Sequence, residues 1–274
     1  MEISWSSLGI LTLLLYTTGD MLIKRPSERI GFLTTSLITS LSSALAVFLL
    51  LRLTDEPLGP FKFLSAVEAG AFMGAGTLLV LKSLEIEQVS DTMAFVAISY
   101  AVPVIFGAVV LKEMMSVLQL SGALLTFAGS FAVAFKNVKF NWGLFPAMLG
   151  NVFWGLQFVA FTYAVSQGDV LAPAFVASLV GLATVAAYGL ASRGLKKPDS
   201  SAALALLAGA VLGLGLISAL YIVSMKSMSL GFTVVAAEPA LVTLLGRLVY
   251  RDRINVVQVV GIFIASIGIL LLTV

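Results

Sequence analysis

Long apolar runs separated by short charged segments set the fold class of this chain. Each run has about 20 predominantly apolar residues, the length that a helix needs to cross the hydrocarbon core of a bilayer. Inside lipid every backbone polar group must be satisfied within the protein, so only helices and closed barrels cross it. Runs this long and continuous lack the alternation of barrel strands. The sequence therefore predicts an all-α membrane protein with ten transmembrane helices and no soluble domain, multi-pass in a plasma or cytoplasmic membrane.

Charges and the residues Gly, Pro and Ser separate the predicted spans. The spans are 3–23, 30–51, 61–84, 90–111, 115–135, 142–166, 170–192, 202–225, 229–250 and 254–274, with an error of a few residues at each end. Charged loops such as Lys24 to Pro26 connect them. Twelve of the 16 Lys and Arg residues follow odd-numbered spans, and by the positive-inside rule this distribution places the N-terminus outside.

The composition excludes several kinds of chemistry. Charged residues make up 11% of the chain, against about 25% in soluble domains, and there is no Cys and no His. Disulfides, thiolate chemistry and His-based metal or acid/base sites are therefore excluded. The net charge of +2 is spread over loops and gives no nucleic-acid footprint. We expect no cofactor, no metal and no nucleic-acid partner.

An internal repeat with an offset of 139 residues is the most informative pattern in the chain. Its clearest members are glycines: Gly70, Gly74, Gly76, Gly107, Gly122 and Gly129 recur as Gly209, Gly213, Gly215, Gly246, Gly261 and Gly268. We predict a five-helix repeat over residues 1–138 and a second over residues 139–274. Because five is odd, the second copy enters the membrane upside down, as in secondary transporters with a substrate site between the halves. Glycines four residues apart also predict close helix packing, with sliding of these faces as the alternative.

Two segments carry a family resemblance. They are SYAVPVIFGAVVLKEMMSVLQL, from Ser99, and EPALVTLLGRLVYRDRINVVQV, from Glu238. Each resembles the helix, acidic turn and helix that end each half of EamA-type members of the drug/metabolite transporter superfamily. The resemblance implies a ten-span carrier of small organic metabolites, with a central cavity, frequent export of amino acids or other metabolites, and cytoplasmic termini. The first half departs from the second, since Tyr100 aligns with Pro239 and the proline lies at Pro103.

Glu238 is the strongest candidate site residue. It lies midway along an apolar run, where an ionisable group costs roughly 3 kcal/mol or more. Pro239 beside it has no N–H, leaves the Val235 carbonyl without its helical partner and predicts a bend or break. A carboxylate there can accept a proton, bind a substrate amine, or do both in turn. The structural alternative is that Glu238 pairs with an Arg or caps the broken helix.

The sixth span predicts an aromatic cavity wall. Asn151, Trp154, Gln157, Phe158 and Phe161 follow the spacing of one helix face. Aromatic rings with two amides suit amphipathic organic molecules, and an indole can also hold an amine by a cation–π contact. The alternative is an ordinary packed face.

Tyr16, Ser99, Tyr100 and Tyr221 are further candidates for substrate binding. Tyr16 lies deeper in the first span than Asp20 and Lys24, which are interpreted as an ion pair near the helix end. Ser99 and Tyr100 align with Glu238 and Pro239, so the sequence predicts an asymmetric site whose carboxylate comes from the second half only.

Three more acidic residues are assigned by their position. Glu68, about a third of the way into the third span, is interpreted as a second buried carboxylate that couples transport, or as a partner of Lys62. Glu113 and Asp252 lie at turns between spans, and we interpret them as structural, each offsetting the dipole of the following helix.

The leading functional hypothesis is a secondary transporter of a small amphipathic metabolite, an amino acid or a similar compound. Export is the expected direction, and protons are the candidate coupling ion. A monomer suffices and a dimer is compatible with the sequence. The alternative is a polytopic membrane enzyme acting on lipid, although the acidic residues are dispersed and there is no His. The protein is therefore not expected to be an enzyme. The sequence has no phosphate-binding loop, which disfavours an ATP-driven pump.

Overall fold

A computed structural model describes residues 4–54, 61–87, 92, 95–134, 142–165, 169–225, 227–249 and 254–273. No strand occurs among these residues. The helices are α1 (Trp5–Leu53), α2 (Phe63–Ile86), α3 (Val96–Val109), α4 (Val117–Ala134), α5 (Phe145–Ala164), α6 (Leu171–Ser192), α7 (Ala202–Ser224), α8 (Met228–Val235), α9 (Glu238–Val249) and α10 (Val256–Thr273). Six segments, with α8 and α9 taken together, are long and apolar enough to cross a membrane, and three shorter apolar helices accompany them. The expected all-helical membrane protein is confirmed.

Helix α1 joins the first two predicted spans through a kink, so the loop expected from Lys24 to Pro26 is wrong. The helix continues through this segment because Lys24 pairs with Glu28 one turn later, at 3.0 Å, and donates to the carbonyls that end α2. The direction changes at Gly31, whose φ of 78° and ψ of 157° suit a residue without a side chain. A single glycine therefore marks the kink between the two predicted spans.

Two helices of the first half start at positions equivalent to those of two helices in the second. Helices α2 and α7 begin at Phe63 and Ala202, which are 139 residues apart. Helices α4 and α10 begin at Val117 and Val256, also 139 residues apart. Each member of the second pair is also preceded by a reciprocal cap, from Ser116 and Gln119 in one half and from Asn255 and Gln258 in the other. These matches support the duplication, and its bounds at residues 138 and 139 stay a prediction.

The repeated glycines lie where helices approach each other closely. Gly70 and Gly74 of α2 face α6, and a Cβ at Gly74 would lie 2.8 Å from the carbonyl oxygen of Gly181. Their counterparts Gly209 and Gly213 of α7 face the second part of α1, where a Cβ at Gly213 would lie 2.9 Å from the carbonyl oxygen of Ser43. The predicted close packing is therefore confirmed in both halves.

Helices α4 and α10 pair through four glycines in a reciprocal pattern. Gly122 of α4 lies against Gly268 of α10, and Gly129 of α4 lies against Gly261 of α10. Under the offset of 139, Gly261 is the counterpart of Gly122, and Gly268 is the counterpart of Gly129. Each of the two α4 glycines therefore packs against the counterpart of the other α4 glycine. A two-fold relation between antiparallel helices produces this pattern, as the inverted-repeat prediction requires.

The helix breaks beside Glu238 as predicted. Helix α8 ends at Val235 and α9 begins at Glu238. Pro239 lies in the first turn of α9, where backbone N–H groups have no partner within the helix, so the missing N–H of proline costs no helical hydrogen bond. The carbonyl of Ala236 in the break accepts a hydrogen bond from Ser130 Oγ of α4 at 2.6 Å. The break is therefore fixed by a partner from the first half.

Glu113 is structural, but it acts on a different helix from the one expected. Its carboxylate accepts the backbone N–H groups of Met228 at 3.0 Å and Ser229 at 2.6 Å, at the N-terminus of α8. The expectation that it offsets the dipole of the following helix, α4, is wrong, because Ser116 caps that helix. Asp252 lies outside the described residues.

We predict that Gly129→Ala lowers the stability of the protein, because its methyl group would lie 2.5 Å from the carbonyl oxygen of Gly261, on backbone that cannot move aside. Overpacking of this kind costs about 1–3 kcal/mol. The matched control is Gly189→Ala in α6, whose nearest neighbour would be a leucine side chain at 3.4 Å. Melting of the two purified variants in detergent checks the prediction, and equal melting temperatures would contradict it.

Candidate functional site

A cavity lies in the middle of the bundle and is built by helices of both halves. It holds about 780 Å³ of space not filled by protein atoms, including solvent at its open side. Helices α1, α2 and α3 line it from the first half, and α5 and α7 line it from the second. The lining residues are Tyr16, Asp20, Ile23, Thr39, Ser40, Ser43, Met73, Thr77, Leu81, Ser99, Tyr100, Trp154, Gln157, Phe158, Leu212 and Leu216. The wall is thus aromatic on one part and rich in hydroxyl groups on another.

Two buried carboxyl groups meet at the cavity. Asp20 of α1 lines it and is 3% exposed, whereas Glu238 is fully buried and interacts with the Asp20 side chain from behind. The Tyr100 hydroxyl of α3 donates a hydrogen bond to Glu238 Oε2. The other oxygen, Glu238 Oε1, has no hydrogen-bond partner. Tyr16 lies close to both acids, so these four side chains form one polar cluster.

Glu238 does not line the cavity, although it was the first choice for substrate contact. Glu238 is the first residue of α9, and two residues that do line the cavity, Asp20 and Tyr100, contact it there. The carboxylate also lies at a helix N-terminus, where free backbone N–H groups favour negative charge. The direct partners of Glu238 are Tyr100 and Asp20. The sequence alternative in which Glu238 pairs with an Arg is therefore wrong.

Asp20 is the site residue that sequence reasoning missed. The ion pair expected between Asp20 and Lys24 is wrong, because Lys24 Nζ lies 3.0 Å from Glu28 and donates to the carbonyls of Leu84 at 2.8 Å and Glu87 at 2.5 Å. The expectation that only the second half supplies a carboxylate is therefore also wrong. The spacing of four residues between Tyr16 and Asp20, on one helix face, was the available signal.

The aromatic wall predicted for the sixth span forms in part. Trp154, Gln157 and Phe158 line the cavity as expected. Asn151 does not, since it is buried and its Nδ2 donates to the carbonyl of Ala147 at 2.8 Å. Phe161 is fully buried in the core and does not line the cavity either.

Two aromatic side chains of the wall are seated on equivalent glycines. The indole of Trp154 lies against Gly76 of α2, and the ring of Tyr16 lies against Gly215 of α7. Gly76 and Gly215 are counterparts under the offset of 139. The small residues therefore make room for large rings at corresponding places in the two halves.

Ser99 and Tyr100 line the cavity, as their alignment with Glu238 and Pro239 predicted. Two other candidates lie elsewhere. Glu68 is exposed on α2 and does not line the cavity, so its expected burial is wrong, and its coupling role stays an untested prediction. Tyr221 is half-buried and packs against the core outside the cavity.

A row of hydroxyl groups on the second part of α1 also escaped the sequence interpretation. Thr39, Ser40 and Ser43 line the cavity, and Thr77 of α2 joins them. The hydroxyl-rich segment 34–43, TTSLITSLSS, was the signal. Such side chains give an otherwise apolar wall the capacity to bind polar groups.

The cations at the end of the bundle near Gly31 have partners away from the cavity. Lys196 Nζ lies 3.4 Å from Glu85, and its backbone exchanges hydrogen bonds with Thr34 Oγ1. In the same loop the Asp199 carboxylate accepts hydrogen bonds from the hydroxyl and the backbone N–H of Ser201. These two bonds, the hydroxyl's above all, hold the pKa of the Asp199 carboxyl below its usual value. Lys196 and Asp199 are therefore engaged outside the cavity and do not line it.

Comparison with known proteins agrees with this architecture. No curated protein matches the chain. Among solved structures 29 chains match, and one crystal structure of a protein at 17% identity covers 98% of this chain and 96% of its own, with a TM-score of 0.74, which shows the fold alone. The sequence model of the EamA-like transporter family matches residues 3–135 and again residues 141–274. The chain therefore belongs to the EamA-like transporter family.

Proposed function

We propose that this protein is a ten-span secondary transporter whose two inverted five-helix repeats, 1–138 and 139–274, expose the cavity to each side of the membrane in turn. The observation that carries the proposal is the position of the cavity, which helices of both halves line in the middle of the bundle. A relative movement of the halves would change which end is open. The site is complete within one chain, so a monomer suffices.

The proposed substrate is a small amphipathic metabolite with an amine, either an amino acid or a similar compound. The rings of Tyr16 and Trp154 offer apolar and cation–π contact, and Asp20 offers the charge that an ammonium group needs. Export is the direction that the family resemblance favours.

Coupling to protons follows from the contact between Asp20 and Glu238. Two ionised carboxylates in contact away from water repel each other strongly, so the pair is expected to hold a proton. That proton would also supply the donor that Glu238 Oε1 lacks. A pair with one proton carries one negative charge, which either a second proton or a substrate cation neutralises. Competition between the two would exchange one for the other.

The transporter proposal predicts saturable flux of amine-bearing metabolites into proteoliposomes that contain the purified protein, driven by an imposed pH gradient. Amino acids and amines are tested as labelled substrates, and liposomes without protein are the control. Collapse of the gradient should reduce the accumulation. Absence of flux for every compound, together with turnover of the lipid, would favour the membrane enzyme instead.

The acid pair predicts different defects for its two members. Asp20→Asn should raise the KM at least about tenfold, since loss of a charged hydrogen-bonding partner costs roughly 1.5–3 kcal/mol. Glu238→Gln should keep the fold, because an amide oxygen can still accept from Tyr100, and should lose the response to the pH gradient. The matched control is Glu85→Gln, whose carboxylate lies near the end of α2 outside the cavity and pairs with Lys196. Wild-type kinetics and pH response in both Asp20→Asn and Glu238→Gln would show that the acids are only structural.

A further inference from the structure

We infer that the cavity selects monocationic amines that lack an ionised carboxylate, so that aromatic amines and amine-bearing amides or esters bind better than zwitterionic amino acids. The inference rests on the proposed transport function and narrows its substrate class. It follows from the charges, the hydrogen-bonding capacity and the apolar surface of the wall.

The charges of the wall are of one sign. Among the lining residues that the structure describes, Asp20 is the one carboxyl group and none is Lys or Arg, while Glu238 adds a second acid directly behind it. Lys24, one turn from Asp20, is held by Glu28 and by two carbonyls of the α2 terminus. A substrate carboxylate would therefore lose water beside two acids and gain no cation.

The polar groups of the wall include hydroxyls that can only accept hydrogen bonds. The Thr39 hydroxyl already donates to the carbonyl of Thr35 at 2.9 Å, and the Ser99 hydroxyl donates to the carbonyl of Val96 at 2.7 Å. Their free lone pairs, like the Asp20 carboxyl, match a group that offers protons. An ammonium group offers three, whereas a carboxylate offers none.

Neutral donors on the wall set the remaining specificity. The hydroxyls of Ser40, Ser43 and Thr77 and the indole of Trp154 can donate to an uncharged oxygen without desolvating an anion. An amide, ester or hydroxyl at the far end of the substrate would thus be accepted. The aromatic surface of Tyr16, Trp154 and Phe158 favours a ring or another flat apolar group between the two ends.

The test compares four probes on the wild-type protein at pH 6. Phenethylamine and phenylalaninamide carry an amine without a carboxylate, phenylalanine is the zwitterion, and N-acetylphenylalanine is the anion. Thermal stabilisation of the purified protein and flux in proteoliposomes are measured for each. We expect half-maximal effects of the two amines at concentrations at least about tenfold below that of phenylalanine, and no effect of the anion, since juxtaposed like charges oppose binding.

A second arm removes the charge that the inference depends on. In Asp20→Asn the preference for phenethylamine over phenylalanine should fall by about tenfold or more, whereas Glu85→Gln, outside the cavity, should keep it. The probe comparison on the wild-type protein stands even where Asp20→Asn does not fold.

The possible failures are distinguishable. Equal or better binding and transport of phenylalanine would overturn the inference and leave the transporter function intact. If neither amine stabilised the protein, the inference would be overturned. If, in addition, no metabolite showed flux, the proposed transport function would be overturned as well. A preference that persists unchanged in a folded Asp20→Asn variant would also overturn it, because the selectivity would then come from another group.

Discussion

The hydrogen bond from Tyr100 to Glu238 joins the two halves at the place where an ionisable group would otherwise be most costly. A carboxylate inside a membrane bundle needs partners, and here they are the Tyr100 hydroxyl, the N-terminus of α9 and the Asp20 carboxyl. Each partner belongs to a different helix. The position of α3, of α9 and of the first part of α1 relative to one another is therefore tied to the burial of one side chain.

The scaffold around this contact is nearly symmetric, but the chemistry within it is not. Glycines at equivalent positions let α2 and α7 approach their neighbours and seat the rings of Trp154 and Tyr16. The acids have no equivalent partners: the counterpart of Glu238 is Ser99, and the counterpart of Asp20 is Val159. One acid from each half thus meets the other at positions that the duplication does not relate. The two halves thus share equivalent glycines but differ in their acids, and together they form one asymmetric site.

The sequence alone was enough for those features that depend on local pattern. Apolar run length predicted the all-helical class, the offset of 139 predicted matched helices, and Pro239 predicted the break before α9. Features that depend on which distant side chains meet were out of reach. The spacing pairs Lys24 with Asp20, whereas in the structure Lys24 binds the carbonyls at the end of α2, about 60 residues away. The apolar run around Glu68 predicts burial, yet periodicity alone does not say which face of a span packs against the bundle, and the structure leaves Glu68 exposed.

The described wall of the cavity holds no Lys or Arg, and the proposed role of the acid pair depends on this. An Arg beside Asp20 and Glu238 would satisfy both oxygens permanently, stabilise the bundle and fill the site. Tyr100 instead offers a neutral hydroxyl, which binds Glu238 without supplying a positive charge. A negative charge that the protein leaves uncompensated can be neutralised by a proton or by a cationic ligand. In the proposed transporter, the arrangement that makes the site costly to fold would thus also be the one that lets the site bind and release its ligand.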